Sequence, residues 1–397
     1  MARDRVLIVG AGPVGLVAAT YLASEGIPVT VFELSRELPE DLRASTFHPP
    51  TLDMLDRFGV ADACIAQGLI CPEWQFRDRQ EGPIVTFNLA VLANDTRHPY
   101  RLQCEQWKLT RLLRAKLEAA GTEFIYGASA TAVEQDDDGV TLTVTMPDGV
   151  NETHRGRYLI GADGARSTVR KSLGVAFDGM TIPEIYLSMS TPHSFSDDIG
   201  GLSNIAYISD PEEWAVLLRT PTLWRVLLPT DPSQPEDVIK QADAIEARLQ
   251  KLNPIDGNYE IAHCTAYRVH ERVAEHYVQG RVFLAGDAAH LNNPLGGMGM
   301  NGGIHDAMNL AEKLSDVWKG APLDTMERYE RQRRKVAVET VQMQALRNRK
   351  VLNERDPAAR RAHHDSLRAT VRDPAKHREY LLQSSMIQSL RDLDTVA

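Results

Sequence analysis

Arg5-Val6-Leu7-Ile8-Val9-Gly10-Ala11-Gly12-Pro13-Val14-Gly15-Leu16-Val17-Ala18-Ala19 decides the fold. A continuous apolar run ending at a glycine is the signature of a strand buried on both faces of a parallel sheet. Pro13 stands where the first helical position tolerates a missing N–H. The alanine-rich segment Val14 to Ser24 then reads as a helix stopped by Gly26, and Ile27-Pro28-Val29-Thr30-Val31-Phe32 as a second buried strand. In this strand–turn–helix–strand unit, Gly10 permits the tight turn, Gly12 lets a backbone approach a pyrophosphate, and Gly15 allows close helix–strand packing. Phosphates would sit on the free N–H groups of the helix N-terminus. Glu33 closes the second strand where an acid accepts hydrogen bonds from an adenosine ribose. The unit binds a dinucleotide, and by itself suits either a nicotinamide or a flavin one.

Further along, the spacing predicts helices from Pro50 or Thr51 to Phe58 and from Gln106 to about Ala120, where Leu109, Leu112, Leu113 and Leu117 recur at helical period. Thr122 to Thr145 reads as two or three antiparallel strands, with turns at Asp136-Asp137-Asp138-Gly139 and Asp148-Gly149. Tyr158 to Gly161 is another strand, Pro183 to Pro229 is β-rich, and Asp237 to Leu252 is helical. Arg281 to Gly286 is a strand that runs into a glycine-rich loop and a helix from Ile304 to Trp318, in whose first turn Asp306 complements the helix dipole. From Leu323 onward the chain is charged and helical.

Two later segments choose between the dinucleotides. Gly161-Ala162-Asp163-Gly164-Ala165-Arg166-Ser167 follows a strand, and Gly286-Asp287-Ala288-Ala289-His290 is followed by Pro294-x-Gly296-Gly297-x-Gly299-x-Asn301. With the first motif they resemble the three fingerprints of the class A flavoprotein aromatic hydroxylases, the para-hydroxybenzoate hydroxylase family, over Val6 to about Arg334. The resemblance implies an α/β fold: a Rossmann-like FAD-binding domain (1–180 and 265–330), an inserted β-rich substrate domain (181–264) and a C-terminal helical segment (331–397). It implies FAD, reduced by NADH or NADPH, with O2 adding at flavin C4a and the resulting hydroperoxide hydroxylating a small phenolic or hydroxylated N-heteroaromatic ring. It implies cofactor contacts from Arg43, Gln106 (where many relatives carry Arg), Asp163, Asp287 on the ribityl chain, and the loop residues Pro294, Gly297, Gly299, Met300 and Asn301. Arg166 and Asp163 are read equally well as a brace for their own loop, and Asp287 as a turn residue.

Hydroxylation is favoured when a ring hydroxyl is deprotonated, so a proton acceptor is expected near the substrate. His48 is the first candidate, because an imidazole titrates near neutrality and this stretch approaches the flavin's substrate side in relatives. A packed histidine beside Pro49 is the competing reading. Tyr207, Trp214, Arg219 and Arg225 lie on the β-rich module, and either arginine could pair with a substrate carboxylate. His290 reads as a packing residue.

Composition bounds the rest. A formal net charge of -10 argues against a general nucleic-acid binder. No apolar run is long enough to span a bilayer, and no secretory leader precedes the first strand. Cys64, Cys71, Cys104 and Cys264 form neither a C-x-x-C pair nor a zinc pattern, so the reading is a cytoplasmic protein without a metal. The compact form, without a thioredoxin-like C-terminal domain, is one in which homodimers are frequent. The competing functions are a halogenase, cyclase or reductase of the same superfamily, a non-catalytic FAD-binding redox protein, or an NAD-dependent dehydrogenase.

Overall fold

The structure, a computed structural model, describes residues 4–40 and 44–396. Its first layer is a sheet in which Val282–Leu284, Tyr158–Gly161, Val6–Val9, Val29–Glu33 and Glu123–Tyr126 run parallel in that spatial order, with Val278–Gln279 antiparallel at one edge. Every residue of Val6–Val9 is buried, as a strand covered on both faces requires. The helix Pro13–Ser24 packs between Met298–Trp318 and Gln106–Ala119. Glu123–Tyr126 pairs with Val29–Glu33 as a parallel edge strand, so it belongs to the nucleotide sheet. The antiparallel strands expected after Thr122 are Ser129–Asp136, Gly139–Thr145 and Asn151–Gly156.

The second layer is an eight-stranded sheet. Its order is His290–Leu291, His263–Ala274, Phe177–Thr191, Trp224–Thr230, Ala215–Arg219, Ile205–Ser209, Glu73–Asp78 and Gly82–Asn88. The last two strands come from outside 181–264, so the β-rich module also draws on residues 73–88, joined through a parallel pairing of Ile205–Ser209 with Glu73–Asp78. Neighbouring side chains enter opposite cores, as the two-residue period of a strand demands. Leu187 packs with Trp224, Leu228 and Leu249 beneath the helix Ala242–Leu252. Tyr186 packs with Phe87, Leu352, Leu367 and Leu381 beneath the C-terminal helices. The helix expected over Asp237 to Leu252 is broken into Glu236–Ile239 and Ala242–Leu252.

The C-terminal segment is helical throughout most of its length. Thr325–Val336 continues through a π-helical turn, Ala337–Gln342, into Met343–Leu352. Pro357–Arg372 and Pro374–Ser384 follow, each with proline in its first turn and an aspartate cap: Asp356 accepts from Ala358 and Ala359 N–H, Asp373 from Ala375 and Lys376 N–H. Among the described residues no helix is long and apolar enough to cross a membrane.

Candidate functional site

The three glycine motifs, far apart in sequence, meet at the C-terminal ends of the parallel strands. Gly10 has φ +105°, and a Cβ there would lie 2.4 Å from Ala162 O and 3.2 Å from Asp163 Cα. A Cβ on Gly15 would lie 2.0 Å from Gly10 O. A Cβ on Gly12 would meet nothing within 4 Å, so its open side faces free space. As N-cap, Gly12 has no side chain to satisfy the first N–H groups of its helix. The third motif closes on the same helix: a Cβ on Gly286 would lie 2.8 Å, and one on Gly303 2.7 Å, from Val14 Cγ2. Arg170 ties the second motif to the third, donating to Ala165 O (2.9 Å) and Ala288 O (2.8 Å). Gly10, Gly15, Gly286 and Gly303 are thus demanded by protein packing, whereas Gly12 borders an open cradle at a helix N-terminus, which fits a pyrophosphate.

Glu33 accepts from Ala11 N–H (2.8 Å) and Ser35 N–H (2.9 Å), joining its strand end to the glycine turn. Asp163 accepts from Ser167 Oγ–H (2.5 Å) and from Thr168 and Val169 N–H (2.7 and 3.1 Å), so it braces the helix Thr168–Ser172. Gln106 is the first residue of its helix, its N–H donating to Ala44 O (3.0 Å). Asp287 is exposed beside Gly286, and Arg43 lies outside the described residues.

The helix after the glycine loop begins at Met298, not near Ile304. Its first turns contain Gly299, Gly302 and Gly303, residues that disfavour a helix when read locally. Tertiary contact overrides that preference, since Gly303 packs against Val14 and Gly286. Asp306 therefore sits beyond the first turn and is fully buried. It accepts from His290 Nε2–H (2.6 Å), Arg333 Nε–H (2.6 Å) and Gly286 N–H (3.1 Å). Burial alone would raise its carboxyl, but the His290 and Arg333 charges hold it down at about 2.

Gly297, left-handed at φ 68°, is the N-cap and offers no side-chain bond, so the first N–H groups of this helix are also uncapped by side chains. Asn301 clamps the turn. Its Nδ2 donates to Gly297 O (2.6 Å) and Thr46 O (2.8 Å), and its Oδ1 accepts from His48 N–H (2.9 Å). Because a carbonyl only accepts, His48 Nε2 carries the proton and donates to Gly296 O (2.9 Å). His48 Nδ1 meets no donor among the described residues. The ring is fully buried, and burial followed by the nearby Arg101 charge pushes its pKa well down. The ring holds the Gly296 carbonyl and does not line the cavity.

That cavity lies between the eight-stranded sheet and the C-terminal helices, with Gly296 and Met298 of the glycine loop at one end. Trp74, Phe76 and Tyr207 face it from the sheet. Most of the remaining wall is C-terminal: Gln344, Arg347, Asn348 and Val351 on one helix, His363 and Leu367 on the next, Tyr380 and Ser384 on the last. Trp74, Phe87 and Tyr380 form a stacked column, with ring separations of 4.3 and 4.6 Å. Burial, with His364 and Arg347 adding to it, lowers His363 to about 4. Tyr207 is thus on the wall, whereas Arg219 and Arg225 are not. Arg225 is buried and donates to Ser45 Oγ (3.2 Å), and Arg219 lies over the Trp224 ring at 5.9 Å.

Arg101 and the C-terminal wall escaped the sequence reading. One signal was available for the wall: 344, 347, 348 and 351 follow the i, i+3, i+4, i+7 pattern of a single helix face. Elsewhere, Asp53, Asp56 and His98 bring ligand atoms within 4.8 Å of one another. Their charges are met internally, by Arg97 on Asp56 (3.1 Å) and by His98 and Thr96 on Asp53 (2.8 and 2.7 Å).

Comparison with known proteins agrees with this geometry. The FAD binding domain family matches residues 3–344. Para-nitrophenol 4-monooxygenase of a Pseudomonas species is 35% identical over 398 residues, covering 98% of each chain. 6-Hydroxy-3-succinoylpyridine 3-monooxygenase of Pseudomonas putida is 34% identical, covering 89% of this chain and 90% of that one. The crystal structure of p-nitrophenol 4-monooxygenase from Pseudomonas putida superposes with a TM-score of 0.92 at 34% identity, covering 98% of each chain. Aklavinone-11 hydroxylase, solved with FAD and aklavinone, gives a TM-score of 0.78 at 28% identity, covering 88% of this chain and 69% of that one.

Proposed function

The chain belongs to the FAD-binding-domain family of flavoprotein aromatic hydroxylases, and from that premise we propose that it hydroxylates a single-ring phenol or hydroxylated N-heteroaromatic held in the cavity beside the glycine loop. It is an FAD-dependent monooxygenase that uses reduced nicotinamide and O2. The observation that carries the substrate proposal is an aromatic-walled cavity that reaches Gly296 and Met298, where a helix N-terminus begins. The named substrates of the relatives, a nitrophenol and a hydroxypyridine, are of the same size class.

Bound FAD supplies the redox chemistry and the activation of O2. The chain's residues bind, orient and shield. The Gly12 cradle would receive the pyrophosphate, Glu33 a ribose hydroxyl and Asp287 the ribityl chain. Pro294, Gly297, Gly299 and Met300 would present backbone to the flat ring, and the uncapped N–H groups of that helix would stabilise negative charge on it. Asn301 and His48 act one step back, fixing the loop through Gly297 O and Gly296 O. Trp74, Tyr207 and Tyr380, the first and last backed by the stacked Phe87 ring, give the cavity aromatic walls that would exclude water from the reacting ring.

A cytoplasmic setting fits the four free cysteines. The test is a panel of phenols, hydroxybenzoates and hydroxypyridines mixed with the yellow holoenzyme and NADH or NADPH. The expected result is oxidation of the nicotinamide stimulated by a subset of the panel, with a product heavier by one oxygen. Flavin-loaded protein whose nicotinamide oxidation no member stimulates would instead be a non-hydroxylating flavoprotein.

A further inference from the structure

Arg101 stands on the cavity wall, outside the three glycine motifs. It lies on the short strand Arg101–Gln103 and is only 2% exposed. Among the described residues it has no carboxylate partner. Its Nη2 reaches Ser384 O at 3.5 Å, the outer limit of a hydrogen bond, while Nε and Nη1 meet no acceptor. Its Cζ lies 5.1 Å from the Trp74 ring centroid. A guanidinium cannot shed its proton, so the charge persists in a desolvated place that gives it an aromatic face and little else. Among the described residues no aspartate or glutamate lines the cavity, and the only other charged side chain on its wall is a second guanidinium, that of Arg347, which is exposed.

We infer that Arg101 is a specificity-determining residue that binds the ionised oxygen of the substrate, so that the ring enters this cavity as a phenolate. The inference rests on the cavity being where a phenolic ring is hydroxylated. The planar fork with two unused donor nitrogens matches an anionic oxygen better than a neutral hydroxyl, which would still leave the charge unmet. Arg347 at the exposed side adds attraction for an anion on approach. A phenolate also places more electron density on the ring carbons than a phenol does, so the contact that selects the anion also favours its attack by an electrophilic oxygen.

The test uses the holoenzyme and two probes of nearly equal shape: 4-nitrophenol, which ionises near neutral pH, and its methyl ether 4-nitroanisole, which does not ionise. Dissociation constants are read from the perturbation of the flavin spectrum on either side of the phenol's pKa. In the wild type, 4-nitrophenol tightens about 10- to 100-fold relative to the ether as it ionises, the span expected for a charge-assisted hydrogen bond. Arg101→Met abolishes that ratio while keeping its flavin, and Arg101→Lys retains part of it. A wild-type ratio that stays flat with pH overturns the inference without recourse to any variant. An unchanged ratio in Arg101→Met also overturns it, because the anion's preference would then come from elsewhere. The underlying reading fails separately: if the ratio follows Arg101 but no phenol stimulates nicotinamide oxidation, the anion site stands and hydroxylation does not.

Discussion

Replacing Asp306 by Asn tests whether the third motif is held by a buried ionic clamp. Asp306 is 0%, Arg333 1% and His290 4% exposed, so none of the three exchanges its partners for water. The asparagine keeps the shape but removes the charge, and its NH2 would point a donor either toward Gly286 N–H and His290 Nε2, which share Oδ2, or toward Arg333 Nε on Oδ1. Arg333 would then be a buried cation whose Nη1 already lacks an acceptor and whose remaining bond is Nη2 to Gly302 O at 3.2 Å. Removing one partner of a buried pair costs about 3–5 kcal/mol, against about 0–1 kcal/mol for an exposed pair. We expect Asp306→Asn to lose stability in the first range in urea unfolding followed by tryptophan and flavin fluorescence. Flavin release should come first, because the clamp holds Gly286, the first residue of the third motif. The double variant Asp306→Asn with Arg333→Met should recover part of the loss, since it removes the stranded cation. A loss below about 1 kcal/mol for the single variant, or strict additivity in the double, would show that the clamp contributes no more than a surface pair and refute the reasoning.

Gly12→Ala and Gly15→Ala should separate cofactor space from packing space. The first meets no protein atom within 4 Å and should fold like the wild type while losing FAD affinity, whereas the second meets Gly10 O at 2.0 Å and should lose both, as thermal melting and flavin content will read out. His48→Ala should lower the fraction of nicotinamide oxidation coupled to product while FAD stays bound and the pH profile of hydroxylation stays in place. A displaced profile would return His48 to proton transfer. Acid should destabilise the fold: burial lowers His48 well below its ordinary value, His305 to about 3 and His363 to about 4. The unfolded chain takes up these protons near pH 6.5 and the native one does not, so stability falls as pH drops below about 6.5 toward 4. Melting temperatures that are level or rising from pH 7.5 to 5 would contradict this.

The nucleotide-binding half was legible because its constraints are local. Gly10 needs a positive φ and Gly15 a missing Cβ within one turn of chain, and the apolar run Val6–Val9 needs only its own neighbours to show that both its faces are covered. The same locality misplaced the next helix. Gly299, Gly302 and Gly303 read as loop because a glycine's cost in a helix is visible in sequence, while the contact of Gly303 with Val14, 289 positions away, is not. Asp306 was misjudged as a consequence: a helix thought to start at Ile304 made it a first-turn residue, and the true start at Met298 puts it in the core.

Apart from Tyr207, the cavity wall did not show in the sequence, for a different reason. His48 stood out by residue type and position, yet its role depends on Gly296 O, 248 residues downstream, which fixes the tautomer and takes the ring out of the cavity wall. Arg225 and Arg219 sat on the expected module and turned elsewhere, whereas Arg101 sat on a three-residue strand with nothing to mark it. What distinguishes Arg101 is a lack, two donor nitrogens of a buried charge without acceptors among the described residues, and a lack of that kind exists only once the sheet face and the helices Met343–Leu352, Pro357–Arg372 and Pro374–Ser384 have closed around it. Positive requirements of the backbone are written residue by residue. Unmet requirements of a side chain belong to the assembled cavity, and they are where a ligand's chemistry is recorded.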